Sequence, residues 1–382
     1  MAQQAGQRFA LVAGEASGDL LAGLLLDGLK TRWPGMTAVG IGGPHMQKRG
    51  LETWWPQEKL AVRGYVEVLR HYAEIAGIRR RLKARLLDEG IGIFIGIDAP
   101  DFNLDLEAGL RERGTKTVHF VCPSIWAWRP ERVHKLRAAA DHVLCIFPFE
   151  PALLAGHGIA ASYVGHPLAN VIPMVTDQAA ARRALGLDAG ASVVALLPGS
   201  RRSELRYLAD RFLAAAALMQ QARPELHFIL PALPSLRGEV EQLVAASAMK
   251  GRVQVIEGRS HDALAACDVT LIASGTATLE AALLKRPMVI AYNMHPISAA
   301  VMRRMRLQPW VGLPNILCGE FVVPELMQEA ATPRALAEAT LGWLSMPAKV
   351  HALQQRFCEL HAQLQRDTPT LCADAIQKVL EG

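Results

Sequence analysis

Short apolar runs alternate with amphipathic helical stretches along most of the chain, the pattern of α/β layers built around parallel sheets. It predicts strands at residues 9–13, 38–41, 92–97, 116–121 and 142–146, and a shorter one at 162–164. A second series follows at 193–197, 227–230, 252–256, 269–272 and 288–291, with an amphipathic helix over 205–221. Between the two series, "GHPLANVIPMVTDQAAARRALGLDAGA" has two prolines, little apolar periodicity at its start and a Gly/Ala-rich end, as a linker and connecting helix would. Two Rossmann-like domains are therefore expected, over 1–170 and 171–345, with a helical tail at 346–382 that packs back across them.

Composition narrows the class. At 382 residues the chain exceeds one ordinary core, and 51% hydrophobic with 20% charged residues describes a folded protein. No uncharged apolar run reaches the roughly 18 residues of a membrane span, and "MAQQAGQRFALVAGE" has too short an apolar run for a signal peptide, so a cytoplasmic location is expected. Cys122, Cys145, Cys267, Cys318, Cys358 and Cys372 form no C-x-x-C pair, and no histidine cluster has zinc spacing. They read as reduced thiols, with no metal site and no cofactor called for.

The net charge of +5 is too small for a general nucleic-acid binder, but it is concentrated. Arg63, Arg70, Arg79, Arg80, Arg81, Lys83 and Arg85 face only Glu67 and Glu74, a local surplus equal to that of the whole chain. Tyr65, Val68, Leu69, Tyr72, Ile75 and Ala76 share one helical stripe beside them. This is the form of an in-plane membrane helix for anionic headgroups, and equally that of a core-facing helix with a solvated basic face. "VMRRMRLQPW", around Arg304, is a second candidate lipid contact.

Ligands of parallel α/β sheets bind at the carboxyl ends of strands, so two facing domains would offer one cleft, and the candidate chemistry falls at such loops. "LLPGSRRSEL" is a strand end, a Pro-Gly-Ser turn and a helix start, where backbone N–H groups near Ser200 and the fixed charge of Arg201 suit a phosphate. The spacing and lysine of a Walker loop are absent, and an ordinary βα turn with a solvated arginine fits the same stretch. "LIASGTATLEAALLKRPMVIAY" repeats the arrangement: Ser274, Gly275 and Thr276 can offer N–H groups and hydroxyls to a diphosphate, and Glu280, one turn deeper, can accept from the hydroxyls of a ribose. A capped helix with a solvent-facing glutamate is the alternative.

Taken in order, "LVAGEASGD", "GIDAPDFNL", "PSIWAWRPERV", "FPFE", "VGHPL", "LLPGSRRSE", "ASGTATLEAAL" and "LPNIL" resemble the lipid A disaccharide synthases, and they span nearly the whole chain. Each motif is weak alone; eight in sequence are specific. The resemblance implies a two-domain GT-B glycosyltransferase, independent of metal, whose C-terminal domain binds a UDP-sugar. The reaction it implies is inverting transfer of 2,3-diacylglucosamine from UDP to the 6-hydroxyl of 2,3-diacylglucosamine 1-phosphate. The enzyme would then work peripherally at the cytoplasmic face of the inner membrane, with a homodimer as a candidate assembly and no nucleic-acid partner.

Under that reading Arg201 stabilises charge on the departing diphosphate, with Arg202 as surface or salt-bridged. Asp98, directly after an apolar strand, is the expected base for the acceptor hydroxyl, and Glu15 is its rival; Asp98 could instead cap the following turn. Asp19 is expected to cap or solvate its helix. Trp126, Trp128, Arg129 and Arg132 offer indole faces and charge to the acceptor's sugar and phosphate, one tryptophan being core. His166 and Asn315 are expected near the nucleotide. A UDP-sugar 2-epimerase, which shares the architecture, a non-catalytic nucleotide-lipid binder and a dinucleotide oxidoreductase are the competing classes. The last is suggested by "GIGGPHM", which lacks both the G-x-G-x-x-G spacing and an acidic partner about 20 residues on.

Overall fold

Strands that read as unbroken apolar runs have to be covered on both faces, which is the situation of a parallel sheet between helical layers. The computed structural model describes residues 6–60 and 65–382 and has this arrangement twice. The chain divides into two units, one running to Pro167 and completed by Leu364–Gly382, the other Leu168–Gln363.

Among the described residues, the first unit holds seven parallel strands: β1 (Arg8–Ala13), β2 (Thr37–Ile41), β3 (Leu51–Thr53), β4 (Ile93–Ile97), β5 (Lys116–Phe120), β6 (His142–Cys145) and β7 (Ala161–Tyr163), in the order β3-β2-β1-β4-β5-β6-β7. Every residue of β4 is buried. Ala13 of β1 lies opposite Ile97 of β4, so the loops that carry Glu15 and Asp98 leave neighbouring strand tips at one level. The helix Thr368–Glu381 lies on Ala16–Arg32, where Gly28 is required: a Cβ there would stand 2.0 Å from the Pro369 carbonyl oxygen. Arg32 pairs with Asp374 and donates to Gln377 across the same contact. The preceding helix, Pro347–Leu364, belongs to the second unit up to Gln363, because His361 is buried there against Lys285 and the Ala169 carbonyl.

The basic helix spans Tyr65–Asp88, and its second half is core. Ile78, Leu82 and Leu86, four residues apart, are buried among Val39, Ile41, Phe94 and Leu106, and Ile75 packs against the same cluster. Arg79 pairs with Asp105 at 2.8 Å, and Arg85 pairs with Glu89 at 2.7 Å while its guanidinium lies 3.8 Å from the Trp54 ring centre. The core-facing reading therefore holds from Ile75 onward. Arg63 lies outside the described residues, as do the side chains at 65–72, which carry the rest of the stripe.

The second unit has six parallel strands among the described residues: β8 (Val193–Leu197), β9 (His227–Ala232), β10 (Val253–Glu257), β11 (Val269–Ala273), β12 (Met288–Tyr292) and β13 (Glu325–Met327), ordered β10-β9-β8-β11-β12-β13. Leu197 of β8 lies two residues beyond Ala195, which pairs with Thr270, and faces Ile272 of β11, so the Ser200 and Ser274 turns also leave adjacent strands. The strands β3 and β13, of three residues each, are absent from the sequence prediction.

Candidate active-site residues

In the first unit Asp98 and Ala99 both have positive φ, 50° and 45°, although neither is glycine. The left-handed region costs a residue with a Cβ about 1–2 kcal/mol, so something must hold the turn. The Asp98 N–H donates to the Phe120 carbonyl at 2.9 Å. Fully buried Asn103, on the helix Pro100–Arg111, donates its Nδ2 to the carbonyls of Asp98 at 2.8 Å and of Ile97 and Val12 at 3.3 Å. One amide thus ties the tips of β1 and β4 together. Glu15 occupies the N-cap position of the helix Ala16–Arg32 in extended conformation, without a capping bond from its side chain, and its carbonyl accepts from Gln57 Nε2 at 2.7 Å.

Asp19 is spent on the protein's own backbone. It is buried, with Oδ1 accepting from the N–H groups of Gly43 and Met46 at 2.9 and 3.0 Å and Oδ2 from that of His45 at 2.8 Å. The "GIGGPHM" loop, the apparent dinucleotide motif, is thus filled by the protein's own carboxylate. Trp126 is the core tryptophan: its Nε1 donates to buried Glu150 at 3.0 Å and its ring meets Phe147 and Phe149 edge-on. Burial pushes Glu150 up to about 7. Trp128 is half-buried under Arg129 and Arg132, whose guanidinium carbons lie 4.5 and 5.7 Å from its ring centre, and Arg132 pairs with Asp101 at 2.7 Å.

In the second unit the Pro-Gly-Ser turn already holds an anion. Glu204 Oε2 accepts from the backbone N–H of Ser200 at 2.8 Å and of Arg201 at 3.2 Å, closing a capping box at the start of the helix Arg202–Ala222. Gly199, at φ 126°, permits it, since a Cβ there would sit 2.4 Å from that carboxylate oxygen. The sequence reading gave these N–H groups to a phosphate; the glutamate three residues after Arg201 takes them instead. What projects outward is the Arg201 guanidinium, 58% exposed and 3.1 Å from Glu204 Oε1. Arg202 is surface and pairs with Glu239 at 3.4 Å. Tyr292, at the end of β12, has its phenol pushed up by burial and by the charge of Glu204.

At the end of β11, Gly275 and Thr276 are exposed where the helix Thr276–Leu283 begins. Ser274 Oγ donates to the Val311 carbonyl at 3.3 Å, joining this turn to the 311–312 loop. That loop is held by Glu325, whose Oε1 accepts from the Gly312 N–H at 2.9 Å and whose Oε2 accepts from the Val311 N–H at 3.0 Å. Glu280 is half-buried and shares its carboxylate with His261 Nε2 at 3.2 Å, which raises the His261 pKa.

The two expected nucleotide neighbours, Asn315 and His166, are both buried. Asn315 is wholly buried, its Nδ2 donating to the Val323 carbonyl at 2.9 Å and to Glu325 at 2.8 Å while its Oδ1 accepts from the Val323 N–H at 3.0 Å, which ties down the 319–325 segment. His166 is buried with its ring stacked on Phe147 at 5.6 Å, and burial brings its pKa down to about 4. Asn103, Glu204, His261 and Glu325 escaped sequence reading; only Glu204, at capping-box spacing from Arg201, left a local signal. Among the described residues no group of three or more His, Cys, Asp or Glu side chains is placed to hold a metal ion.

Two Rossmann-type sheets with charged and small residues at their strand tips define the GT-B class of glycosyltransferase folds. Among solved structures, the chain is similar to a putative UDP-N-acetylglucosamine 2-epimerase from Listeria monocytogenes (TM-score 0.66, 12% identity, 99% of this chain and 96% of that one). A glycosyltransferase from Rickettsia africae gives TM-score 0.59 at 10% identity, over 98% of each chain. Likeness at that identity is likeness of fold. The sequence profile of the lipid-A-disaccharide synthetases matches residues 9–376. The chain is 66% identical to the lipid-A-disaccharide synthase of Albidiferax ferrireducens over 100% of both chains, and 62% identical to that of Verminephrobacter eiseniae over 99% of both. The chain belongs to the lipid-A-disaccharide synthetase family.

Proposed function

We propose that this chain transfers 2,3-diacylglucosamine from UDP to the 6-hydroxyl of 2,3-diacylglucosamine 1-phosphate with inversion and without a metal ion. The observation that carries the reading is the outward Arg201 guanidinium on the turn after β8 and the exposed Gly275–Thr276 helix start after β11, two positive features following adjacent strands. In the proposed step the acceptor's 6-oxygen bonds to the anomeric carbon, the bond from that carbon to the diphosphate breaks with its electron pair leaving on UDP, and Asp98 takes the hydroxyl proton. Arg201 and the helix start at Thr276 offset the charge growing on the diphosphate. Glu280 accepts from the ribose. Glu15, one strand from Asp98, positions the acceptor, and Trp128 with Arg129 is the candidate seat for its sugar and phosphate. Among the described residues no helix is long and apolar enough to cross a membrane. Peripheral attachment at the cytoplasmic face of the inner membrane, through the start of the helix Tyr65–Asp88, is part of the proposal.

Mass spectrometry of products from UDP-2,3-diacylglucosamine, with and without the monosaccharide acceptor and with a chelator, tests it. Disaccharide 1-phosphate and UDP should form only with acceptor and at the same rate with chelator; an epimerised UDP-sugar formed without acceptor would overturn the reading. Asp98→Asn should slow single-turnover chemistry by about 10² to 10⁴ while UDP still binds, and Glu15→Gln should cost less. If Glu15→Gln abolishes turnover and Asp98→Asn does not, the two roles are exchanged.

A further inference from the structure

The helix Pro296–Met305 is inside out. A helix on a globular surface turns its large apolar side chains inward, yet among the described side chains of this helix Ala299 is the buried one while Val301 and Met302 are 51% and 38% exposed. At 100° per residue Val301 and Met305 fall on one stripe with Ala299 on the far side, and Met302 lies between the two. The apolar surface continues past the helix with Leu307, 53% exposed. Arg303, Arg304 and Arg306 are exposed among these residues, and the sequence holds no acidic residue between Glu280 and Glu320.

We propose that the segment 296–307 is a docking surface of the second unit for an anionic phospholipid bilayer. Exposed apolar side chains interleaved with arginines and free of carboxylates fit a negatively charged surface with a hydrocarbon layer beneath it, and suit neither plain solvent nor an acidic protein face. The placement matters because the chain runs from this segment straight into Val311, whose carbonyl holds Ser274 at the donor turn. A donor whose acyl chains stay in the bilayer can then meet that turn without leaving the lipid. The proposal rests on the reading of 274–276 as the seat of the UDP-sugar.

Met302→Cys, in a full-length chain with Cys318→Ala and Cys358→Ser, carries an environment-sensitive dye at the surface in question. Leu218→Cys, an exposed apolar position on another helix of the same unit, carries it as control. Vesicles containing phosphatidylglycerol should shift the dye at 302 to the blue and leave that at 218 unmoved, whereas pure phosphatidylcholine vesicles should shift neither. Replacing Val301, Met302 and Leu307 by Ser should weaken vesicle binding by about tenfold or more without changing UDP affinity. An unmoved dye at 302 overturns the proposal. An equal shift on neutral vesicles overturns the choice of an anionic surface, and a shift that grows with protein concentration without lipid assigns the face to a second copy of the chain. UDP affinity, measured by calorimetry on the same labelled protein, judges the donor-site reading separately.

Discussion

Removing the Asn103 amide is the sharpest test of how the first unit holds Asp98. Its Nδ2 serves three carbonyls, on Val12, Ile97 and Asp98, at the only place where the tips of β1 and β4 and the left-handed turn at Asp98–Ala99 meet one side chain among the described residues. In Asn103→Ala the two N–H groups vanish, the carbonyls lose a partner in a site without exposure, and a small cavity remains. Each net hydrogen bond contributes about 1 kcal/mol, and a buried acceptor left unpaired costs about 1–3 kcal/mol, so a loss of roughly 3 kcal/mol is expected. That lowers Tm by roughly 5–10 °C for a unit of this size. With its clamp gone the Asp98 turn can relax from positive φ, and turnover should fall by about 10–100-fold at unchanged UDP affinity, because the proposed UDP seat belongs to the other unit. Thermal melts beside single-turnover rates and UDP titrations read all three quantities. A variant with wild-type Tm and wild-type turnover would refute the clamp, and one that loses UDP affinity in step with turnover would show general disruption instead of a misplaced carboxylate.

Arg201→Ala should lower turnover by about 10² or more with Tm within a degree or two, since the side chain is mostly exposed; near-normal turnover in steady-state assays would remove it from the mechanism. Glu150, raised by burial to about 7, stays protonated in the folded chain at a pH where the unfolded chain has released its proton, so stability is full below about 4.5 and declines as pH rises through 7. The loss is about 3 kcal/mol. His166, lowered to about 4, acts in the opposite sense, its contribution being lost as pH falls below 6.5. Burial raises Glu107 in the same sense, so denaturant melts of Glu150→Gln across pH 5 to 8 should show a smaller alkaline decline and keep the acid one; an unchanged profile would remove Glu150 as a source of the decline.

How legible the molecule was depends on what each residue's partner is. The central strands were visible because a doubly covered strand must be apolar almost without interruption, and the candidate loops were visible because they follow such runs directly. Polar side chains in those loops were not sorted by the same logic. Asn315 and Asn103 look alike in sequence, as amides just inside a helix that starts with a proline near its N-terminus, and both donate to backbone carbonyls, in one case to a carbonyl 91 positions away. Ile78, Leu82 and Leu86 show why the basic helix read two ways: a stripe that faces a core and a stripe that faces lipid have one periodicity, and only the packing partner tells them apart.

The same distinction bears on where a diphosphate could sit. Three loops that have the form of anion sites are occupied by the protein's own carboxylates: Asp19 at Gly43–Met46, Glu204 at Ser200–Arg201 and Glu325 at Val311–Gly312. A substrate phosphate would have to displace a carboxylate that already accepts at least two backbone N–H bonds, which costs more than it returns. At the Ser274–Thr276 turn the serine hydroxyl is turned to Val311 while Gly275 and Thr276 remain exposed at a helix start. Under the proposed reaction the diphosphate is therefore best taken by this turn, with Arg201 supplying charge from the side rather than a backbone cradle of its own. On that argument Glu204 is an alignment device for Arg201: it fixes the turn and leaves the guanidinium, tethered at 3.1 Å, free to exchange one carboxylate contact for a phosphate oxygen as charge develops there.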